Sequence, residues 1–220
     1  MSGVPGLGAV EQLVLRGDGL TTTSLEILTG ATVTTAVRAH WRLPLRAEWG
    51  AQADGASYAG EPADDSRRWA WFAGDVLDAG AGDELLVREL DLVGGGTVLA
   101  AATLVAVLGV LPAPLAHRLG TTDEPIGRLL AAHGVAVRRE LLRWGLRPAG
   151  ELAGRLAVAP ESEVPARTYR MRAVASGRPL AAITEWFSPA ALGGAARAPV
   201  RAPRRAHRPG SRSRARSAPR

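Results

Sequence analysis

The hydrophobic and polar positions of this chain alternate in short blocks that predict a mixture of strands and helices. Apolar and β-branched residues that partly alternate with polar ones predict strands at 32–41, 84–93, 97–108, 135–144, 164–175 and 180–187. Helix-prone segments lie between them, at 7–16, before Gly30, at 112–119 and at 124–133. Because the strands occur in hairpins with helices set between them, we expect an α+β fold in which helices pack on a single antiparallel sheet of about six strands.

Two long segments do not fit this alternation. Residues 50–82 are rich in glycine, alanine and aspartate, and we interpret them as a long, variable and mostly irregular connection. Residues 98–116 form the longest apolar run, but Pro112 and Pro114 interrupt it before the ~20 residues that a membrane-spanning helix needs. The run is therefore predicted to be a buried strand that leads into a turn, and no membrane association is expected.

The positive charge is concentrated at the C-terminal end. The chain of 220 residues has a formal charge of +6, and all 27 of its basic residues are arginine. Nine of them follow residue 196; the other 18 face 21 acidic residues, so that 1–196 carries a net charge of −3. Residues 193–220 contain almost no bulky apolar side chains and are predicted to be a disordered tail, whereas 1–192 should form one slightly acidic domain.

The rare residue types exclude several kinds of chemistry. The absence of cysteine excludes disulfides, thiolate metal sites and thiol nucleophiles. The four histidines lack the spacing of a metal motif, so no metal is expected. The N-terminal residues do not resemble a signal peptide, which favours a cytoplasmic protein.

Charged residues interrupt otherwise apolar strands at three places: Arg88, Glu185 and the run Arg138-Arg139-Glu140. A buried charge is costly unless it is paired or binds a charged ligand. Arg88 could lie on an exposed strand face, and Glu185 could pair with Arg88 or Arg139. Alternatively, an arginine and a carboxylate at opposite ends of an apolar pocket could hold a small molecule that carries an acid and a hydroxyl group.

The order of five motifs resembles the bacterial branch of the chorismate–pyruvate lyase (4-hydroxybenzoate synthetase) family over residues 12–190. These motifs are RGDGLTTTSLE, LLVREL, LGTTDEPIGRLL, VRRELLRW and GRPLAAITEWF. The resemblance implies a six-stranded antiparallel sheet with helices, an internal site closed by helical flaps, no metal or cofactor, and a monomer.

The resemblance also implies the residues of the site. Arg88 matches the arginine that meets the ring carboxylate, and Glu185 matches the glutamate that meets the 4-hydroxyl group. Ile126 precedes the glycine of the PIG motif and would offer a backbone group, as would Thr21, which stands where the family has a methionine. Arg139 is expected to partner Glu185 or to bind the carboxylate of the enolpyruvyl group.

The function implied by the resemblance is that of a chorismate lyase, with chorismate as its small-molecule substrate. Aromatisation would drive the loss of pyruvate, so the protein would need only to orient the substrate and stabilise charge on the departing ether. Arg88 and Glu185 are the predicted catalytic residues, and Glu185 would accept the hydroxyl hydrogen bond or act as a base.

Three alternatives remain, and one is a relative of the enzyme that forms a closely related aromatic acid or is inactive. The same fold serves as the effector-sensing domain of some bacterial transcription regulators, so the chain could bind an aromatic acid without transforming it. Such regulators normally carry an N-terminal helix-turn-helix domain. Only about 11 residues precede the first motif here, which favours the enzyme over the sensor. The basic tail could also be an arm that binds nucleic acid, although an extension without function is favoured; no other contact with nucleic acid is expected.

Overall fold

The computed structural model describes residues 6–17, 20–47 and 65–193, and these form one six-stranded antiparallel sheet with helices. The strands are β1 (Val33–Pro44), β2 (Glu84–Gly94), β3 (Thr97–Val107), β4 (Val137–Pro148), β5 (Glu163–Ala173) and β6 (Pro179–Phe187). The helices are α1 (Ala9–Arg16), α2 (Thr21–Thr29), α3 (Asp65–Leu77), α4 (Ala113–Thr121), α5 (Ile126–Ala132) and α6 (Ala153–Leu156), with short 3₁₀ turns at Leu108–Val110, Gly150–Leu152 and Pro189–Leu192. The predicted α+β fold is confirmed.

The order of the strands in the sheet is β1-β2-β3-β6-β5-β4. The hairpins β2–β3 and β5–β6 are the two predicted from the sequence, and they meet at the centre of the sheet where β3 pairs with β6. The two outer strands, β1 and β4, each contain a bulge, after Val37 and after Leu141 respectively. Bulges of this kind are common in edge strands, where they increase the local twist.

Helices cover both faces of the sheet, which explains why β2 and β3 are apolar at nearly every position. One face of the sheet packs against α1, α2, α4 and α5, in two clusters that include Leu25, Leu104 and Leu129. The other face packs against α3 and α6, through residues such as Ala73 and Leu156. Along β2, Leu86, Arg88 and Leu90 share the first face, because successive side chains of a strand point to opposite faces.

The expected irregular connection at 50–82 is wrong for its second half, because Asp65–Leu77 is helical. Ala70, Ala73, Val76 and Leu77 lie on one side of this helix and are buried against the sheet. Burial of this apolar stripe stabilises a helix in a segment whose glycine and aspartate content predicts a loop. The first part of that connection, at 50–64, and the tail beyond residue 193 lie outside the described residues.

Across the ranges 6–17, 20–47 and 65–193, no helix is long and apolar enough to cross a membrane.

Gly30 ends α2 in the left-handed conformation, at a φ of 68°, as the sequence predicts for a glycine at this point. We expect Gly30→Ala to lower the free energy of unfolding by about 1 kcal/mol, because an L-residue is strained at this φ. A Cβ atom at Gly30 would meet no atom within 4 Å, so steric clash does not contribute. Urea unfolding tests this, with Gly109→Ala as the control, since residue 109 has equal space but no positive φ. Equal losses in the two variants would contradict the prediction.

Candidate functional site

Arg88 is the most deeply buried charged side chain on the face of the sheet that packs against α1, α2, α4 and α5, which we call the inner face. Only 1% of its surface is exposed. Its position in β2 is fixed by the alternation that also turns Leu86 and Leu90 inward. Arg88 therefore does not lie on an exposed strand face, which was one of the two possibilities left by the sequence.

The Arg88 guanidinium is held by the backbone that precedes α5. Its Nη2 donates to the carbonyl oxygen of Thr122 at 2.8 Å, and its Nη1 donates to that of Glu124 at 3.4 Å. No carboxylate of the described residues forms an ion pair with it. Burial lowers the pKa of Arg88, and the negative charge of Asp123 opposes part of that effect. Arginine stays protonated at neutral pH even so, which leaves a buried positive charge with no ion-pair partner in the part of the chain that the structure describes.

Glu185 lies on the same face, in β6, and is 3% exposed. Its carboxylate accepts a hydrogen bond from Arg167 Nε at 2.7 Å, one from Thr21 Oγ1 at 2.7 Å and one from Tyr169 Oη at 3.3 Å. Its partner in the ion pair is thus Arg167 in β5, and not Arg88 or Arg139 as the sequence suggested.

Arg167 also connects the ion pair to the last turn of α1 and to the first residue of α2. Its Nη1 donates to the carbonyl oxygens of Val14 at 2.6 Å and Gly17 at 2.9 Å, and its Nη2 donates to Thr21 Oγ1 at 2.8 Å. Burial acts to lower the pKa of Arg167, but Glu185 and Tyr169 together more than offset it, so the pKa is raised. Arg167 and Glu185 therefore form a buried ion pair.

Tyr169 completes the network as a neutral donor. Burial, followed by the negative charge of Glu185, raises the pKa of the Tyr169 hydroxyl well above its ordinary value. The guanidinium groups of Arg167 and Arg139 lie over its ring, with Cζ 5.1 and 5.9 Å from the ring centroid. Aromatic faces attract such cations, so Tyr169 helps to position both arginines.

The first residues of two helices close the inner face of the sheet. Thr21 begins α2 and Ile126 begins α5, and both side chains are buried. The helices approach each other closely here, since a Cβ atom at Gly127 would lie 3.1 Å from Leu20 Cδ2. A glycine at this point therefore allows α5 to lie against the start of α2.

A cavity remains between these helices and the sheet, and all five residues predicted for the site line it: Thr21, Arg88, Ile126, Arg139 and Glu185. The volume open to the centres of water molecules is about 80 Å³. This is several times the ~10–15 Å³ that a single water molecule needs on that measure. The remaining wall is mainly apolar, with Leu90, Leu92, Leu104, Met171 and Ile183. The cavity suits a small ligand that has an apolar body and a negative charge.

Sequence analysis missed Arg167 and Tyr169 and placed Thr21 in a different role. Thr21 was expected to contribute a backbone group, whereas its hydroxyl joins Glu185 to Arg167. The signal that was missed is the spacing of two residues along β5. Arg167, Tyr169 and Met171 occupy every second position, so the arginine shares a face with two large buried residues.

Within the part of the chain that the structure describes, no group of three or more histidine, aspartate and glutamate side chains is placed to hold a metal ion.

Solved structures with the same fold include ligand-binding domains of transcriptional regulators. One is the ligand-binding domain of a regulator assigned to the GntR family from Bordetella bronchiseptica, with a TM-score of 0.50 and 13% identity over 70% of this chain and 85% of that one. Another is the effector domain of PhnF from Mycobacterium smegmatis, with a TM-score of 0.53 and 14% identity over 78% and 89% of the two chains. A further PhnF structure gives a TM-score of 0.52 at 14% identity, with 78% of this chain and 64% of that one covered.

No protein-family model and no curated protein matches the sequence. The fold that the resemblance implied is thus confirmed, whereas membership of the chorismate lyase family stays a prediction.

The prediction that the chain is a chorismate lyase is wrong. It is overturned by the solved structures that share the fold, which include a ligand-binding domain and an effector domain of regulators. The geometry gives a physical reason, because the carboxylate of Glu185, expected to accept the hydroxyl hydrogen bond or act as a base, already accepts hydrogen bonds from Thr21, Arg167 and Tyr169.

Proposed function

We propose that this chain is a small-molecule-binding domain that senses an organic acid with an aromatic or similarly apolar body. The observation that carries the proposal is Arg88, a buried guanidinium with no ion-pair partner among the described residues, in the wall of an apolar cavity. Placing an unpaired charge in an apolar environment costs several kcal/mol in an isolated protein. A ligand carboxylate would supply the missing anion and offset that cost.

The other buried charges of the site support binding rather than catalysis. Glu185 and Arg167 neutralise each other, and further hydrogen bonds with Thr21 and Val14 fix their positions. They hold the start of α2 against the sheet, so their role is to shape the cavity wall. The ligand-binding domains that share the fold also favour a sensor over an enzyme.

We expect benzoate, used as the simplest aromatic carboxylate, to bind saturably with one site per chain. Isothermal titration calorimetry of the full chain measures this, and benzyl alcohol is the matched neutral ligand, which should bind far more weakly because it lacks the charge. In a parallel incubation with chorismate, we expect no pyruvate above the buffer control, since Glu185 is not free to act as a base. Equal binding of benzoate and benzyl alcohol would contradict the proposed role of Arg88.

A further inference from the structure

The cavity wall contains buried polar atoms that lack a hydrogen-bond partner among the described residues. They include Nε of Arg88 and Oγ1 of Thr35 in β1. Leaving a buried donor or acceptor unsatisfied costs about 1–3 kcal/mol, so such atoms are rare in folded proteins. Their presence in one cavity points to a ligand that would satisfy both.

The two atoms belong to different rows of the sheet, where a row is a line of residues that pair with each other across neighbouring strands. Thr35 pairs with Leu92 across β1 and β2, and Leu92 lies four residues from Arg88 along β2. At ~3.3 Å per residue, the Cα atoms of Arg88 and Leu92 are about 13 Å apart. The two side chains thus begin at well-separated points of the sheet, and we assign to Thr35 a second polar group of the ligand rather than the carboxylate held by Arg88.

The wall between the two rows is apolar. Leu90 and Leu92 of β2 face it, together with Ala102 and Leu104 of β3. These side chains match an uncharged ring or chain that joins the two polar ends of a ligand. Glu185 lies in the row between them, opposite Ala102, but its oxygens already accept from Thr21, Arg167 and Tyr169.

We infer that the ligand is a hydroxy or oxo acid whose carboxylate is bound by Arg88 and whose distant oxygen is bound by the hydroxyl of Thr35. The Thr35 hydroxyl can donate to a carbonyl oxygen or accept from a hydroxyl group, so both kinds of oxygen fit. Thr35 is then the residue that selects among acids of similar size. This inference rests on the proposed function, because it assumes that Arg88 anchors an acid.

The test compares cinnamate with 4-hydroxycinnamate, two acids that differ only in the distant hydroxyl group. We expect the full chain to bind 4-hydroxycinnamate roughly five- to tenfold more tightly than cinnamate, the ratio that one added hydrogen bond gives. Thr35→Val keeps the β-branched shape and should remove this preference, whereas Thr35→Ser should keep it. Thr34→Val is the matched control, since Thr34 is exposed and its hydroxyl bonds to the carbonyl oxygen of Val93.

The outcomes separate this inference from the proposed function. If both acids bind and lose affinity in Arg88→Met, but Thr35→Val discriminates between them as well as the unaltered chain, Thr35 does not contact the ligand and only this inference fails. If neither acid binds, or if Arg88→Met binds them normally, the proposed function fails as well. A preference that disappears in Thr35→Val and persists in Thr35→Ser and Thr34→Val supports the inference.

Discussion

Replacing Arg88 by methionine should weaken the binding of benzoate by about 100-fold or more. The guanidinium would offer charge-assisted hydrogen bonds in an environment from which water is largely excluded, and each such bond contributes about 1.5–3 kcal/mol. Methionine fills similar space without the charge, so the cavity keeps its apolar character. Titration calorimetry of Arg88→Met measures the loss, and Arg178→Met is the control, because Arg178 is exposed and does not line the cavity.

The stability of the same variant distinguishes a ligand anchor from a structural arginine. Arg88→Met loses the hydrogen bonds to the carbonyl oxygens of Thr122 and Glu124, but it also removes a buried charge that has no ion-pair partner in the described residues. These effects oppose each other, and we expect the free energy of unfolding without ligand to change by no more than about 1 kcal/mol. Arg88→Lys should bind benzoate with intermediate affinity, because it keeps the charge but not the planar fork.

Normal benzoate affinity in Arg88→Met would exclude Arg88 from the site. A loss of several kcal/mol in stability, with benzoate affinity preserved in Arg88→Lys at the level of the unaltered chain, would indicate that Arg88 serves the fold.

Most of the fold could be predicted because its signals are local. The two central hairpins follow from apolar strands joined at the glycines 94–96 and at 176–179, and the end of α2 follows from Gly30. The helix at Asp65–Leu77 could not, because its stability comes from tertiary burial of Ala70, Ala73, Val76 and Leu77 and not from its composition. In a sequence rich in glycine and aspartate, such an apolar stripe cannot be recognised without knowledge of the sheet that covers it.

From the residues alone, the site was predictable where a charge interrupts an apolar strand. Arg88 and Glu185 satisfy that condition and line the cavity, whereas Thr21, Ile126 and Arg139, which also line it, followed from the resemblance. Arg167 does not satisfy that condition, because Arg170 and Arg172 follow it in the same strand and three arginines look like a solvated segment. Only the strand geometry shows that Arg167 points inward with Tyr169, while Arg170 and Arg172 bind Glu140 on the other face.

The error about function has the same origin. An arginine and a glutamate in apolar strands are equally compatible with a lyase and with a sensor of the same fold. The availability of Glu185 to a ligand depends on Arg167, which is 18 residues away in the chain and opposite Glu185 in the sheet. Motif order contains no information on that pairing.

Arg167→Met should be the most destabilising of the substitutions considered, with a loss of about 3–5 kcal/mol in the free energy of unfolding. Breaking a buried ion pair from one side leaves the carboxylate of Glu185 without its cation, and that uncompensated charge dominates the cost. The carbonyl oxygens of Val14 and Gly17 also lose their donor. Urea unfolding measures the change, and Arg42→Met is the matched control, since Arg42 pairs with Glu84 on the surface, where such pairs contribute about 1 kcal/mol or less.

A double variant tests whether the cost comes from the unpaired charge. Arg167→Met combined with Glu185→Leu removes both members of the pair, so it should be more stable than Arg167→Met alone, as found when buried ion pairs are replaced by apolar residues. Additive losses would show instead that the two side chains act independently. The double variant should recover stability because no unpaired buried charge remains. It should still bind benzoate weakly, because Thr21, which lines the cavity, no longer has its hydrogen bonds with Glu185 and Arg167.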